Sequence, residues 1–217
     1  FMSEIIRIAV DGPGGAGKST IAKLVAKKLG IEYIDTGAMY RAIGYKTSVK
    51  GIDPSNLSAM EDMLSDTTID FVGGSIILDG ENVDGAIRTP EMSMMASKVS
   101  QLAPVRAKLV ASQRQMAAAK SVIMDGRDIG TNVMPDAEYK FFMTASAEER
   151  ADRRYKELVQ KGIDADYDEV LKDIEKRDYE DTHRELDPLK PAEDAIILDT
   201  TGIGIDEVVE RILGEVK

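Results

Sequence analysis

One stretch near the amino end constrains this chain more than any other: IAVDGPGGAGKST, ending at Thr20. Residues 5–10 form a short apolar, β-branched run, which predicts a buried strand. Glycines follow at once. Ile21, Leu24, Val25 and Leu29 then fall at helical spacing, with Gly30 where a C-terminal cap belongs. Gly12, four residues, then Gly17-Lys18-Ser19 fits G-x-x-x-x-G-K-[ST] without a mismatch, in a strand–loop–helix context. Backbone N–H groups can point inward around a polyphosphate only where no Cβ intrudes. The helix N-terminus adds about half a positive charge. Lys18 brings a full charge to the outer phosphates, and Ser19 offers a hydroxyl to Mg²⁺. The expected ATP-binding set is Gly12, Pro13, Gly14, Gly15, Ala16, Gly17, Lys18, Ser19 and Thr20.

Gly12, Gly14 and Gly17 also spell G-x-G-x-x-G, and Asp35 lies 18 residues beyond Gly17, which mimics a dinucleotide fingerprint. Lys18-Ser19 argues against that reading. A dinucleotide pyrophosphate is held by backbone and dipole, whereas a terminal triphosphate calls for an ammonium group.

Further strands are predicted over 31–34, 121–126, 138–144 and 195–200, with helical stretches between most of them. That alternation argues an α/β fold: a parallel sheet with helices on both faces. Residues 51–91 break the rhythm. An amphipathic stretch over 57–64 is followed by short apolar runs around Asp79-Gly80, a hairpin signal, and the region reads as an inserted subdomain of small strands. Residues 150–184 are dense in both charge signs and read mostly as solvated helical surface.

Composition narrows the function. The 217 residues carry a net charge of −11, so the far field repels nucleic acid and anionic membranes, and any bound anion must be caught by local positive features. With no cysteine, disulfides, zinc–thiolate sites and thiol catalysis are excluded; with one histidine, His183, so are a His-rich metal site and an ordinary Ser-His-Asp triad. No apolar run approaches the roughly 20 residues of a membrane span, no signal-peptide pattern is seen, and a cytoplasmic location is expected.

In this acidic chain the arginines recur at informative places. A guanine-reading N-K-x-D stretch is absent, and a switch would not explain them. In YIDTGAMYRA, Asp35 stands near the active edge, and Tyr40-Arg41 open or lie on the next helix. In MDGRDIG, Asp125 is at a strand end, where Mg²⁺ or its water shell is usually held; Arg127 and Asp128 follow in a turn that an Arg–Asp pair alone could also explain. Ser146 and Glu149 spell a capping box; Arg150, Arg153 and Arg154 then share one helix face. Lys161-Gly162 marks a break suited to a closing lid. Arg177, Asp181 and Arg184 form another row, which by spacing alone could be a surface ladder. His183 is given no catalytic role.

Together, IAVDGPGGAGKST, YIDTGAMYRA, VIMDGRDIGT, PDAEYKFFMTASAEERADRRY and RDYEDTHRELDPL resemble the bacterial cytidylate kinases, P-loop nucleoside monophosphate kinases, over nearly the whole chain. The resemblance implies a three-layer P-loop fold with a five-stranded parallel sheet. The core would span about 4–50 and 92–217, the monophosphate-binding insert about 51–91 and a helical lid about 154–168. It implies phosphoryl transfer from ATP to CMP and dCMP with Mg²⁺ near Ser19 and Asp125, by a monomer. Arg41, Arg127 and Arg184 would grip the acceptor phosphate, and Tyr40, Arg177 and Asp181 the sugar. Ser97, Arg106 and Asp128 would read cytosine, and Thr36 stands where the family also shows serine. Lys18, Arg127, Asp128 and lid arginines among Arg150, Arg153 and Arg154 would serve the transfer itself. An ATP-binding regulatory module without transferase activity is the alternative, ahead of a dinucleotide oxidoreductase.

Overall fold

The computed structural model describes residues 4–216. In chain order the elements are β1 (Arg7–Asp11), α1 (Lys18–Leu29), β2 (Glu32–Asp35), α2 (Thr36–Val49), α3 (Leu57–Ser65), β3 (Ile69–Val72), β4 (Ser75–Leu78), β5 (Glu81–Asn82), α4 (Pro90–Val99), α5 (Ala103–Ala119), β6 (Val122–Gly126), a π-helical turn (Ile129–Val133), β7 (Tyr139–Thr144), α6 (Ala147–Gln160), α7 (Tyr167–His183), β8 (Ile196–Asp199) and α8 (Ile205–Glu215). They fall into two compact units. One holds the chain up to Glu32 and from Ser121 onward; the other is Tyr33–Lys120.

The main sheet runs in the order β2-β6-β1-β7-β8. β1 pairs in parallel with β6 and β7, and β7 with β8. The expected strands are all present. β1 and β6 are buried almost throughout, which is why they read as unbroken apolar runs rather than as alternation. β1 begins at Arg7 rather than at residue 5. Arg7 is drawn outward to Asp136 and Glu138, at 3.2 and 3.0 Å, and Ile5 before it is exposed. Across the sheet Asp11 stands opposite Gly126, so the loop after β1 and the turn after β6 leave the same edge. That carboxyl edge is where open α/β sheets bind ligands.

α1 covers the sheet with Ile21, Ala22, Val25 and Ala26 and ends at Gly30, whose N–H reaches the Ala26 carbonyl. α8 packs on α1 through Val208, Val209 and Ile212. The charged segment folds into a helical hairpin of α6 and α7. It has a small core of its own, Ala151, Leu158 and Val170, with Tyr167, Leu171 and Ile174 packed against it. The capping box at its start is half formed. Ser146 Oγ accepts from the Glu149 N–H at 3.2 Å, but the Glu149 carboxylate turns to Gly202 N–H and Arg153.

The second unit contains its own antiparallel sheet, β3-β4-β5. Asp79 and Gly80, both with positive φ, turn the chain between Leu78 and Glu81, as a two-residue hairpin requires. Phe71, Ile76 and Leu78 from this sheet, with Met60, Met63 and Leu64 from α3, are buried. α2 and α4 pack closely at Gly44, where a Cβ would lie 2.8 Å from Met95 Cγ. Among the described residues no helix is long and apolar enough to cross a membrane.

Candidate functional site

Gly12 fixes the start of the glycine loop. Its φ is 155°, and a Cβ there would lie 2.3 Å from the Met143 carbonyl oxygen of the neighbouring strand, so no other residue fits. The loop ends at Gly17, the N-cap of α1, which makes no side-chain cap and leaves the first-turn N–H groups to a ligand. Lys18 is buried and folds back over the loop, its Nζ donating to the Pro13 carbonyl at 2.8 Å. Burial and the nearby Arg127 charge lower its pKa to about 7, against the pull of Asp125 and Asp181.

Arg127 and Arg177 both stand beside Gly14 of this loop. A Cβ on Gly14 would lie 3.3 Å from Arg127 Nη2 and 3.9 Å from Arg177 Cδ. Arg127 Nε donates to Asp181 Oδ2 at 3.0 Å, and Arg177 Nε is 3.9 Å from the same oxygen. Burial works to raise the Asp181 pKa, but Arg127, Arg177 and Arg184 together hold it below the ordinary carboxylate value. Asp128, also buried, accepts from Asn132 Nδ2 at 3.1 Å and lies 3.8 Å from Arg184 Nη2. The Arg177–Asp181–Arg184 row is therefore not a surface ladder: Asp181 and Arg184 are buried, Arg177 is half-buried, and Arg127 is bound into the row.

Asp11, to which sequence reasoning gave no role, organises the turn that carries Arg127 and Asp128. Its two carboxylate oxygens accept from the Ile129 and Gly130 N–H groups at 2.9 and 2.8 Å, fixing the π-helical turn directly after Asp128. Burial pushes its carboxyl up to about 6 despite those two bonds.

The three arginines of α6 take different places. Arg150 is buried and donates to Asp178, to Ala145 O at 3.0 Å and to Gly14 O at 3.1 Å. Arg153 Nη1 reaches Ala16 O at 3.3 Å and pairs with Glu149, while Arg154 pairs with Glu157. Arg150 and Arg153 thus hold the loop by its carbonyls, which turns its N–H groups the other way. Asp178 carries no pattern in the sequence that marks it as the anchor of Arg150.

In the second unit, Asp35 caps α2, accepting from the Ala38 N–H at 2.8 Å. Arg41 Nη2 and Arg88 Nη1 both donate to its other oxygen, at 3.2 and 3.3 Å. Burial opposes ionisation of Asp35, but Arg41, the Ala38 N–H and Arg88 together lower its pKa. Arg106, buried at the start of α5, places its guanidinium 5.6 Å from the Tyr40 ring centroid and donates to Ser100 O at 3.2 Å. Ser97 and Thr36 are buried on α4 and α2. Arg88 was missed because it stands alone between Ile87 and Thr89, without periodicity or motif. His183 stacks on Tyr179 at 4.0 Å between ring centroids, on the exposed side of α7.

Ser19 and Asp125 offer a hydroxyl and a buried carboxylate. Hard oxygen donors, few in number, suit Mg²⁺, which keeps most of its waters and takes the rest of its shell from phosphates.

A family model described as cytidylate kinase matches residues 8–217. A cytidylate kinase of Clostridium perfringens is 52% identical over 211 residues, 97% of each chain. One of Caldicellulosiruptor saccharolyticus is 54% identical over 212 residues, 96% of this chain and 94% of that one. Among solved structures, an uncharacterised protein from Eubacterium ventriosum superposes with a TM-score of 0.55 at 13% identity, covering 97% of each chain, a likeness of fold alone.

Proposed function

The chain belongs to the cytidylate kinase family, and on that premise we propose how its own residues move the γ-phosphoryl group of ATP to CMP or dCMP. The observation that carries the reading is the approach of Arg127 and Arg177 to Gly14: a guanidinium able to hold an acceptor phosphate and a second arginine able to hold its sugar stand beside a cradle built for a triphosphate.

ATP lies on Gly12–Thr20, its phosphates meeting the inward N–H groups and Lys18. Ser19 and Asp125 would hold Mg²⁺, which would supply charge neutralisation on the triphosphate. Arg41, Arg127 and Arg184 take the acceptor phosphate, and Tyr40, Arg177 and Asp181 the sugar, whose 2′-hydroxyl is tolerated but not required. That phosphate is already anionic, so no strong general base is needed; the work is positioning and charge neutralisation. Residues 51–91 serve as the monophosphate-binding insert and 154–168 as the lid that excludes water, with Arg154 at its start and Arg150 and Arg153 just before it on the same helix. One chain carries every residue named, so a monomer suffices.

Ser97, Arg106 and Asp128 read the base. Cytosine presents an amine donor beside two acceptors; Arg106 donates to the acceptors while Asp128 accepts from the amine. Uracil reverses two of these polarities and leaves buried groups unpaired, at about 1–3 kcal/mol each. A coupled assay with ATP, Mg²⁺ and each of CMP, dCMP, UMP and AMP tests the whole reading. CMP and dCMP should be converted, UMP at least a decade less efficiently; ATP bound with no monophosphate converted would make the chain a binding module instead.

A further inference from the structure

We propose that Asn132 is a positioning residue for the choice of cytosine over uracil: its side-chain amide holds the Asp128 carboxylate in the orientation in which it accepts from the base amine. The inference rests on the reading of Asp128 as that acceptor and adds a residue that need not touch the nucleotide itself.

The two residues are tied twice over. Asn132 Nδ2 donates to Asp128 Oδ2 at 3.1 Å, and the Asn132 backbone N–H donates to the Asp128 carbonyl at 2.9 Å. The Val133 N–H reaches the same carbonyl at 3.1 Å, so the chain closes its π-helical turn on Asp128. Asp11 secures that turn through the Ile129 and Gly130 N–H groups. A Cβ on Gly130 would lie 3.2 Å from Lys140 Cδ and 3.4 Å from Asp11 Oδ2, so the turn has little room to shift. Asn132 therefore offers its amide from a fixed place.

A fixed donor matters because an aspartate does not orient itself. The torsion that turns its carboxylate plane is broad. Asp128 is buried and lies near enough to Asp11 for the two charges to repel. Arg184 balances charge without setting the plane. Its Nη2 is 3.8 Å from Asp128 Oδ1, beyond hydrogen-bond range, and its Nε and Nη2 donate to the Asp187 carbonyl at 2.9 and 2.6 Å. Asp128 and Asn132 each have a further interaction as well; what the amide adds is the plane and the polarity. An amide nitrogen carries only hydrogens, so the oxygen it meets is kept as an acceptor. Cytosine brings a donor to a carboxylate held in this way. Uracil brings a carbonyl oxygen to the same place, and two acceptors then face each other unpaired.

The test is the ratio of kcat/KM for CMP to that for UMP, measured on the full chain with Asn132→Leu, Asn132→Ala, Asp128→Ala, and Asn132→Leu combined with Asp128→Ala. Asn132→Leu keeps much of the shape and removes the donor. It should lower the ratio about tenfold through loss on CMP, with UMP and the KM for ATP held within about twofold. A merely structural role would lower both monophosphates together. Asn132→Ala, which adds no branch, should lower the ratio likewise and decides the matter if the leucine form fails to fold. Once Asp128 is alanine, Asn132→Leu should change the ratio by less than about twofold, because the amide acts through that carboxylate. An unchanged ratio in the Asn132 forms, CMP and UMP falling together, or a tenfold fall that persists without Asp128 overturns the role of Asn132. If Asp128→Ala leaves the ratio intact, the reading of Asp128 fails and this inference with it; if Asp128→Ala lowers the ratio while the Asn132 forms do not, only the present inference fails.

Discussion

The Arg150 guanidinium grips Asp178 with two bonds, of 2.8 and 2.6 Å, and the nitrogen that makes the longer one also donates to the Gly14 carbonyl at 3.1 Å. The conformation of the glycine loop is thus tied to α7 through a single side chain on α6. Asp178→Ala leaves a buried cation with only carbonyl partners. It should cost about 2–3 kcal/mol in urea denaturation, less than a fully buried pair because Asp178 is partly exposed. The KM for ATP should rise more than that for CMP; equal changes in both would contradict the tie to the loop.

Asp11 makes stability depend on pH in the direction opposite to most carboxylates. Burial holds its carboxyl at about 6, above the ordinary 3.8, so the folded chain binds this proton more tightly than the unfolded one. The stabilising contribution is complete below about pH 4 and is lost as pH rises through 6. Asp35 and Asp181, shifted downward, contribute with the other sign, so the difference between the native chain and Asp11→Asn isolates the effect. Denaturation at stepped pH from about 4 to 7 should show the native chain losing on the order of 2–3 kcal/mol relative to the variant. Parallel curves would refute this.

Lys18, its pKa lowered to about 7 by burial and the Arg127 charge, is only partly protonated at slightly alkaline pH. A triphosphate beside it favours the ammonium form, so ATP binding at about pH 8 should take up close to one proton. Calorimetry in buffers of different ionisation heat reads this directly. Lys18→Ala should abolish the uptake and cut turnover by about 10²–10⁴-fold while the fold survives. Near-normal turnover would contradict the loop assignment.

Gly44 lets α2 and α4 approach. Gly44→Ala drives a methyl into Met95 and should destabilise the chain by about 1–3 kcal/mol by thermal or urea unfolding. Tyr40 and Arg41 ride on α2 and Ser97 on α4, so the KM for CMP should rise and that for ATP hold.

Much of this was legible in the residues. The buried strands announce themselves because β1 and β6 are apolar on both faces, and the glycine loop because its geometry admits so few residue types. Asp79-Gly80 marked its hairpin for the same reason. What stayed hidden depends on partners distant in sequence. Asp178 meets Arg150 across a helical hairpin, and Arg88 reaches Asp35 from a stretch without periodicity. Asp11 looked like the last residue of a strand, and only the fold brings Ile129 and Gly130 to its oxygens. The capping box was half misread, because the Glu149 carboxylate found Gly202 and Arg153 instead.

The chain's single histidine lies two residues from Asp181 and next to Arg184, with its ring against Tyr179. Its imidazole Cε1 proton therefore gives the chain's one histidine line of that kind in a proton spectrum taken in heavy water, displaced by the ring current of the tyrosine. A nucleotide that reaches that end of α7 would shift this line, with no second histidine to confuse it.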